Sequence, residues 1–203
     1  MHPHSTSPTA VIKVGGSLLS LHDLTSRLFD LLSRPTGRRP LLIAGGGAMV
    51  DVIRDWSRQH ALSETACHDL ALKAMDITAA LLVELLPNAG LVDQPAAAVE
   101  LWQAGKIPVL RMDRWFQSPE SAAESLPKSW DVTSDSLAAF VAQKWQAEEL
   151  WLLKATDLPD NISPSAASGA GLVDAYFPAA IIGVAHGCWC NLRAEHPELR
   201  RWW

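Results

Sequence analysis

Short, continuous apolar runs recur along this sequence, and stretches of helical period separate them. Ala10–Val14, Leu41–Ala44, Ile107–Leu110 and Leu150–Leu153 are uninterrupted rather than alternating, as strands covered on both faces require. Leu21, Leu24, Leu28 and Leu31 are spaced by three and four residues, which predicts a helix between the first two runs. Met49, Val52, Ile53 and Trp56 mark a second helix. Leu70, Ala74, Ile77, Leu81 and Leu85 mark a third, stopped at Pro87-Asn88-Ala89-Gly90. A helix opening near Thr133 presents Leu137, Phe140, Val141 and Lys144 on one side. Ile181–Val184 and Cys188–Cys190 read as short strands, Glu195–Trp203 as a closing helix, and Gln117–Ser129 and Pro159–Gly171 as loops. Strands separated by helices predict an α/β fold with a parallel sheet covered on both faces.

Length and composition narrow the function. The 203 residues suit one domain, 48% hydrophobic and 19% charged, with a core to match. A net charge of -5 without a basic block argues against nucleic acid and anionic membranes as partners. No apolar run approaches the ~18 residues of a spanning helix, and Met1–Thr9 lacks the charged-then-apolar start of a secretion signal. Three cysteines, Cys67, Cys188 and Cys190, make no disulfide framework, so a cytoplasmic setting is expected. Nine tryptophans and the amphipathic helices suit a homo-oligomer interface.

Four polar clusters fall at the ends of predicted strands. Lys13-Val14-Gly15-Gly16-Ser17 follows the first; glycines admit a phosphate to the backbone, and the lysine adds charge. Gly45-Gly46-Gly47 follows the second. It is no dinucleotide fingerprint, because Val50 stands where the third glycine would fall, and this disfavours a dinucleotide oxidoreductase. Trp130-Asp131-Val132-Thr133-Ser134-Asp135 opens a helix, where Thr133 or Asp131 could cap and Asp135 suits the dipole; a carboxylate here could equally hold a lysine. Lys154-Ala155-Thr156-Asp157 ends another strand. In open parallel sheets ligands bind outside these carboxyl ends. His186, Cys188 and Cys190, with His196, offer soft ligands to zinc, but buried strand cysteines are commonly plain packing. Cys67-His68 sits in a helical stretch with Leu70, which also favours packing, with His68 expected near an acceptor.

The order of these clusters resembles the amino acid kinase family. The pieces are Lys13-Val-Gly-Gly-Ser, Gly45–Gly47, Asp131-Val-Thr-Ser-Asp135-x-Leu-Ala and Leu152-Leu-Lys-Ala-Thr-Asp157. The resemblance implies a three-layer αβα sandwich and transfer of the γ-phosphoryl group of ATP, with Mg2+ held mainly through the phosphates. It implies an acceptor half over about 10–130 and a nucleotide half over about 131–203. Lys13 would meet the transferring phosphate, and Asp135 would orient Lys13. Gly15, Gly16, Ser17, Gly45, Gly46, Gly47, Asp131 and Ser134 would bind phosphates and acceptor, and Lys154, Thr156 and Asp157 would face the nucleotide. Cys67-His68-x-Leu70-Ala71-Leu72-x-Ala74-Met75-Asp76, Pro127-x-Ser129-Trp130-Asp131 and Cys190-Asn191-Leu192 resemble the small aspartokinase-related kinases of methanofuran-type cofactor biosynthesis. Those phosphorylate an aminomethylfuran methanol phosphate, whose amine Asp131 or Asp76 would meet, with Trp130 as a flat wall. Many family members carry a further phosphate-binding lysine beyond this point, and this chain has none after Lys154. A catalytically weak binding relative, or a kinase for an amino acid or UMP, therefore stays open as the alternative.

Overall fold

A computed structural model describes residues 7–33, 38–121 and 126–203. The strand β1 (Ala10–Val14) is buried along its whole length because it runs between two parallel neighbours, β2 (Pro40–Ala44) and β5 (Glu149–Lys154). Outside these lie β4 (Ile107–Leu110), β3 (Ala89–Val92), β6 (His186–Asn191) and β7 (Arg200–Arg201), in the order β3-β4-β2-β1-β5-β6-β7. Every pairing is parallel except β6 with β7.

Successive residues of a strand face opposite sides, and the core divides accordingly. Val11, Leu41, Ile43, Leu150 and Leu152 face one layer, and Ile12, Val14, Leu42, Trp151 and Leu153 the other. The helices are α1 (Leu24–Leu32), α2 (Ala48–His60), α3 (Glu64–Leu85), α4 (Pro95–Gln103), α5 (Met112–Phe116), α6 (Ser134–Lys144), α7 (Pro164–Gly169) and α8 (Phe177–Ala180). Leu24, Leu28 and Leu31 of α1 join the second layer, as their spacing predicts. The α/β class and the sandwich of helices on a mainly parallel sheet are as expected.

Several boundaries differ from the expectations. Ile181–Val184 is a turn, not a strand: α8 ends just before it, Gly183 takes φ +95°, and Ile182 points to solvent. Glu195–Trp203 is not a helix. Pro197 denies the segment a helical hydrogen bond, and Arg200–Arg201 instead pairs antiparallel with Trp189 and Cys188. The expected loop 159–171 contains α7, whose Pro164 follows the capping Ser163; the Ser163 hydroxyl accepts from the Ala166 amide at 3.2 Å. The expected loop 117–129 contains a 3-10 turn at Pro119–Ser121, and its residues 122–125 lie outside the described residues. The α3 stripe is rotated: Leu72, Met75, Ala79 and Leu82 are buried, whereas Ile77 and Leu81 are 55% and 41% exposed. No helix among the described residues is long and apolar enough to cross a membrane.

Candidate active site

Lys13 lies on the face of β1 that carries Val11, and α6 packs against that face. The consequence is electrostatic. Asp135, in the first turn of α6, is 4% exposed and meets two lysines at once. Its Oδ1 lies 2.8 Å from Lys13 Nζ, an ion pair without hydrogen-bond alignment. Its Oδ2 accepts a hydrogen bond from Lys154 Nζ at 2.6 Å. Burial pushes the Asp135 carboxyl up, but the two ammonium groups outweigh it and hold it below the usual carboxylate range. Burial, then the charge of Lys13, lowers the pKa of Lys154, and Asp135 restores part of the loss. The Lys154 ammonium also lies 5.4 Å from the Trp189 ring centroid. Asp135 is thus far more than a dipole partner of its helix, and Lys154 shares it with Lys13.

The turn that aims Asp135 is tied by Asp174, 39 residues on. Its Oδ2 accepts from the amides of Thr133 and Ser136, each at 3.0 Å, and from the Thr133 hydroxyl at 2.8 Å. Its Oδ1 accepts from the Ser136 hydroxyl. Neither Thr133 nor Asp131 caps α6 through its side chain, as the sequence suggested; Asp174 does so from a distant segment. Asp131 is exposed, and its carbonyl accepts from the Tyr176 amide at 3.0 Å.

Two glycine loops meet beside this triad. A Cβ on Gly16 would lie 2.4 Å from the Gly47 nitrogen, and one on Gly45 would lie 2.7 Å from the Gly16 nitrogen and 3.2 Å from the Ser134 hydroxyl. A Cβ on Gly15 would lie 2.8 Å from the Leu153 carbonyl oxygen. Gly47 also takes φ +57°, which favours glycine. Among the described residues, the amides of Gly16, Ser17, Gly46 and Gly47 find no acceptor in the protein. Gly47 opens the 13-residue α2, whose N-terminus no side chain caps. Free amides at a helix N-terminus suit an anion.

These loops floor a cleft of about 720 Å³. Gly16, Ser17, Gly46, Gly47 and Ser134 line it, together with His68, Ser129, Trp130 and Arg54 and the apolar Leu72, Met75, Ile77 and Leu81. Arg54 stacks 5.2 Å from the Trp130 ring centroid and pairs with Asp51 at 2.7 Å. Arg193, which sequence reasoning missed, reaches the rim from beyond β6 and donates to the Ser17 carbonyl at 2.9 Å. Asp76 does not line the cleft: it accepts from the Asp113 amide at 3.0 Å and anchors α5.

Thr156 and Asp157 are exposed beyond β5. Asp157 accepts from Asn191 Nδ2 at 2.9 Å and lines a second cavity of about 200 Å³ with Trp189, His196 and Arg200. Among the described residues, no three His, Cys, Asp or Glu side chains gather as metal ligands. Cys188 and Cys190 pack in the core, and burial pushes the Cys188 thiol up to about 11.

A lysine pair bridged by one buried carboxylate thus lies beside two touching glycine loops on a parallel sheet. Residues 8–158 match the amino acid kinase family, and the chain belongs to that family. It is 25% identical over 151 residues to the [5-(aminomethyl)furan-3-yl]methyl phosphate kinase of Methanocaldococcus jannaschii, covering 73% of this chain. The match spans 65% of that relative, less than two thirds of its length. The fold is shared with the uridylate kinase of Archaeoglobus fulgidus, at TM-score 0.60 and 19% identity over 88% of each chain. The UMP kinase of Ureaplasma parvum gives 0.65 at 12% identity, over 95% of this chain and 92% of that one.

Proposed function

We propose that this protein is an ATP-dependent kinase whose acceptor is a small alcohol phosphate, namely an aminomethylfuran methanol phosphate. The observation that carries this reading is the buried Lys13–Asp135–Lys154 triad beside glycine amides that have no acceptor of their own. The choice of acceptor is supported by the relative from Methanocaldococcus jannaschii. In the reaction, an oxygen of the acceptor phosphate attacks the γ-phosphorus in line, the bond to the β–γ bridging oxygen breaks, and ADP leaves with a diphosphate product beside it. Lys13 and Lys154 neutralise the charge on the transferring group while Asp135 fixes both ammonium groups, and the amides of Gly16, Ser17, Gly46 and Gly47 hold phosphate oxygens. A divalent cation carried by the nucleotide phosphates supplies further neutralisation.

Residues from about 10 to 130 serve the acceptor, and those from about 131 onward the nucleotide, with Thr156 and Asp157 on its side. The lack of a lysine beyond Lys154 does not favour an inactive relative, because Lys154 itself provides a second ammonium on Asp135. A sparse, odd set of three buried cysteines suits the cytoplasm, and exposed Phe29, Trp56 and Ile182 suit a homo-oligomer. The test is product formation from ATP and magnesium with the aminomethylfuran methanol phosphate, UMP, acetylglutamate and isopentenyl phosphate in parallel. Preference for one of the last three rejects the acceptor; no turnover with any rejects the kinase.

A further inference from the structure

A phosphorylated aminomethylfuran carries, away from its phosphate, a flat ring and a primary ammonium. A carboxylate would be the simple partner for that ammonium, yet the cleft offers none that is free. Among its described lining residues only Asp51 is acidic; it is exposed and already paired with Arg54. Asp131 and Asp76, the acids the sequence offered, lie outside the lining.

The cleft does contain one deeply buried polar ring. His68, on α3, is 5% exposed, yet its side chain lines the cavity beside Ser129 and Trp130. The Phe116 ring lies 6.4 Å from it, between centroids. Burial lowers its pKa first of all; the Lys128 charge adds to this, against the opposing effects of Asp69 and the Ser129 backbone. A neutral imidazole has one nitrogen that donates and one that accepts. That accepting nitrogen is what the buried ring can offer a ligand in the cleft. Such a ring meets an ammonium without charge repulsion, and the apolar wall of Leu72 and Met75 suits a furan.

We propose that the His68–Trp130 end of the cleft is a subsite for a flat ring bearing a primary amine, with His68 accepting a hydrogen bond from the ammonium. It rests on the proposed acceptor only for the rest of the molecule; the subsite itself concerns a ring and an amine.

Furfurylamine and 2-methylfuran, which differ by the amine alone, test it by titration followed in NMR spectra. Furfurylamine should bind the unaltered protein roughly tenfold or more tightly than 2-methylfuran, the scale of one hydrogen bond to a charged group. His68→Leu should abolish that preference, and His68→Gln, whose amide oxygen still accepts, should keep it. Equal binding of both probes, binding of neither, or an undiminished preference in a folded His68→Leu overturns the subsite. Should His68→Leu not fold, loss of preference in His68→Gln decides against it and retention for it. Turnover with the full acceptor is scored separately: its absence alongside selective furfurylamine binding removes the kinase assignment and leaves the subsite standing.

Discussion

Lys13→Ala removes one ammonium group from Asp135 and leaves the other in place at 2.6 Å. Folding should therefore survive while turnover falls by about 10²–10³, the usual loss for one preorganised charge-stabilising group. Steady-state turnover and thermal unfolding on the same preparation check this, and near-normal turnover would end the catalytic assignment. Asp135→Asn is harsher, because it leaves two buried ammonium groups without their carboxylate. We expect about 3–5 kcal/mol of lost stability in urea unfolding, along with loss of turnover. A cost of only about 0.3–1 kcal/mol would instead describe a simple helix-dipole partner. The lowered pKa of Lys154 sets a pH limit. Its ammonium is lost at lower pH than for an ordinary lysine, so turnover should fall as pH rises through that point. Lys154→Arg keeps its charge across this range and should remove the alkaline limb of the kcat profile; an unchanged limb belongs to another group. Lys13 and Asp135 were legible in the sequence because a charge ending an apolar strand and an acid opening a helix are local patterns. The sharing of Asp135 by Lys13 and Lys154 was not, since it depends on β1 and β5 being neighbours although 134 residues (15–148) separate them in the chain, as their register pairs Lys13 with Leu152.

Helix α6 owes its placement to a carboxylate that belongs to another element. Asp174→Ala removes four hydrogen bonds from the first turn of α6 and should cost about 1–3 kcal/mol. Turnover should fall further than stability accounts for, because the same turn aims Asp135; ligand-saturated kcat compared with unfolding free energy separates the two, and a matched loss makes Asp174 a structural cap only. No local signal marks Asp174, since its partners lie 38 and 41 residues earlier. The same distinction sorts the other elements. The strands β1, β2, β4 and β5 read directly from the sequence because parallel strands covered on both faces are unbroken apolar runs. The four-residue β3, with Gly90 inside it and Pro87 close before it, reads as a helix stop instead. β7 is a strand only by virtue of β6, and a Trp203 ring seated against Gly187 completes that corner. In α2 and α3 the helical period is plain, but the buried side is set by the cleft, which takes Met49, Ile77 and Leu81 for its wall.

On the scale of the whole molecule, the triad and the glycine loops gather at the carboxyl ends of parallel strands, the site that sheet topology alone anticipates. What topology does not anticipate is that the two loops touch. Gly16 and Gly47 approach so closely that neither backbone tolerates a Cβ at Gly16, and Gly16→Ala should lower the melting temperature as well as turnover. Contact of this kind makes the loops one mechanical body: a displacement of one is a displacement of the other. Two ligands that each favour the same loop arrangement then help one another, and thermodynamic reciprocity makes the help equal in both directions. The dissociation constant of a non-hydrolysable ATP analogue should drop when acceptor is present, and that of the acceptor should drop by the same factor when the analogue is present. Calorimetric titration in both orders measures the two factors, and their joint absence would mean the loops respond separately. A pair of glycines that look like mere turn residues would in that way make the protein respond to the two proposed ligands as a single event, favouring the ternary complex over either half-filled state.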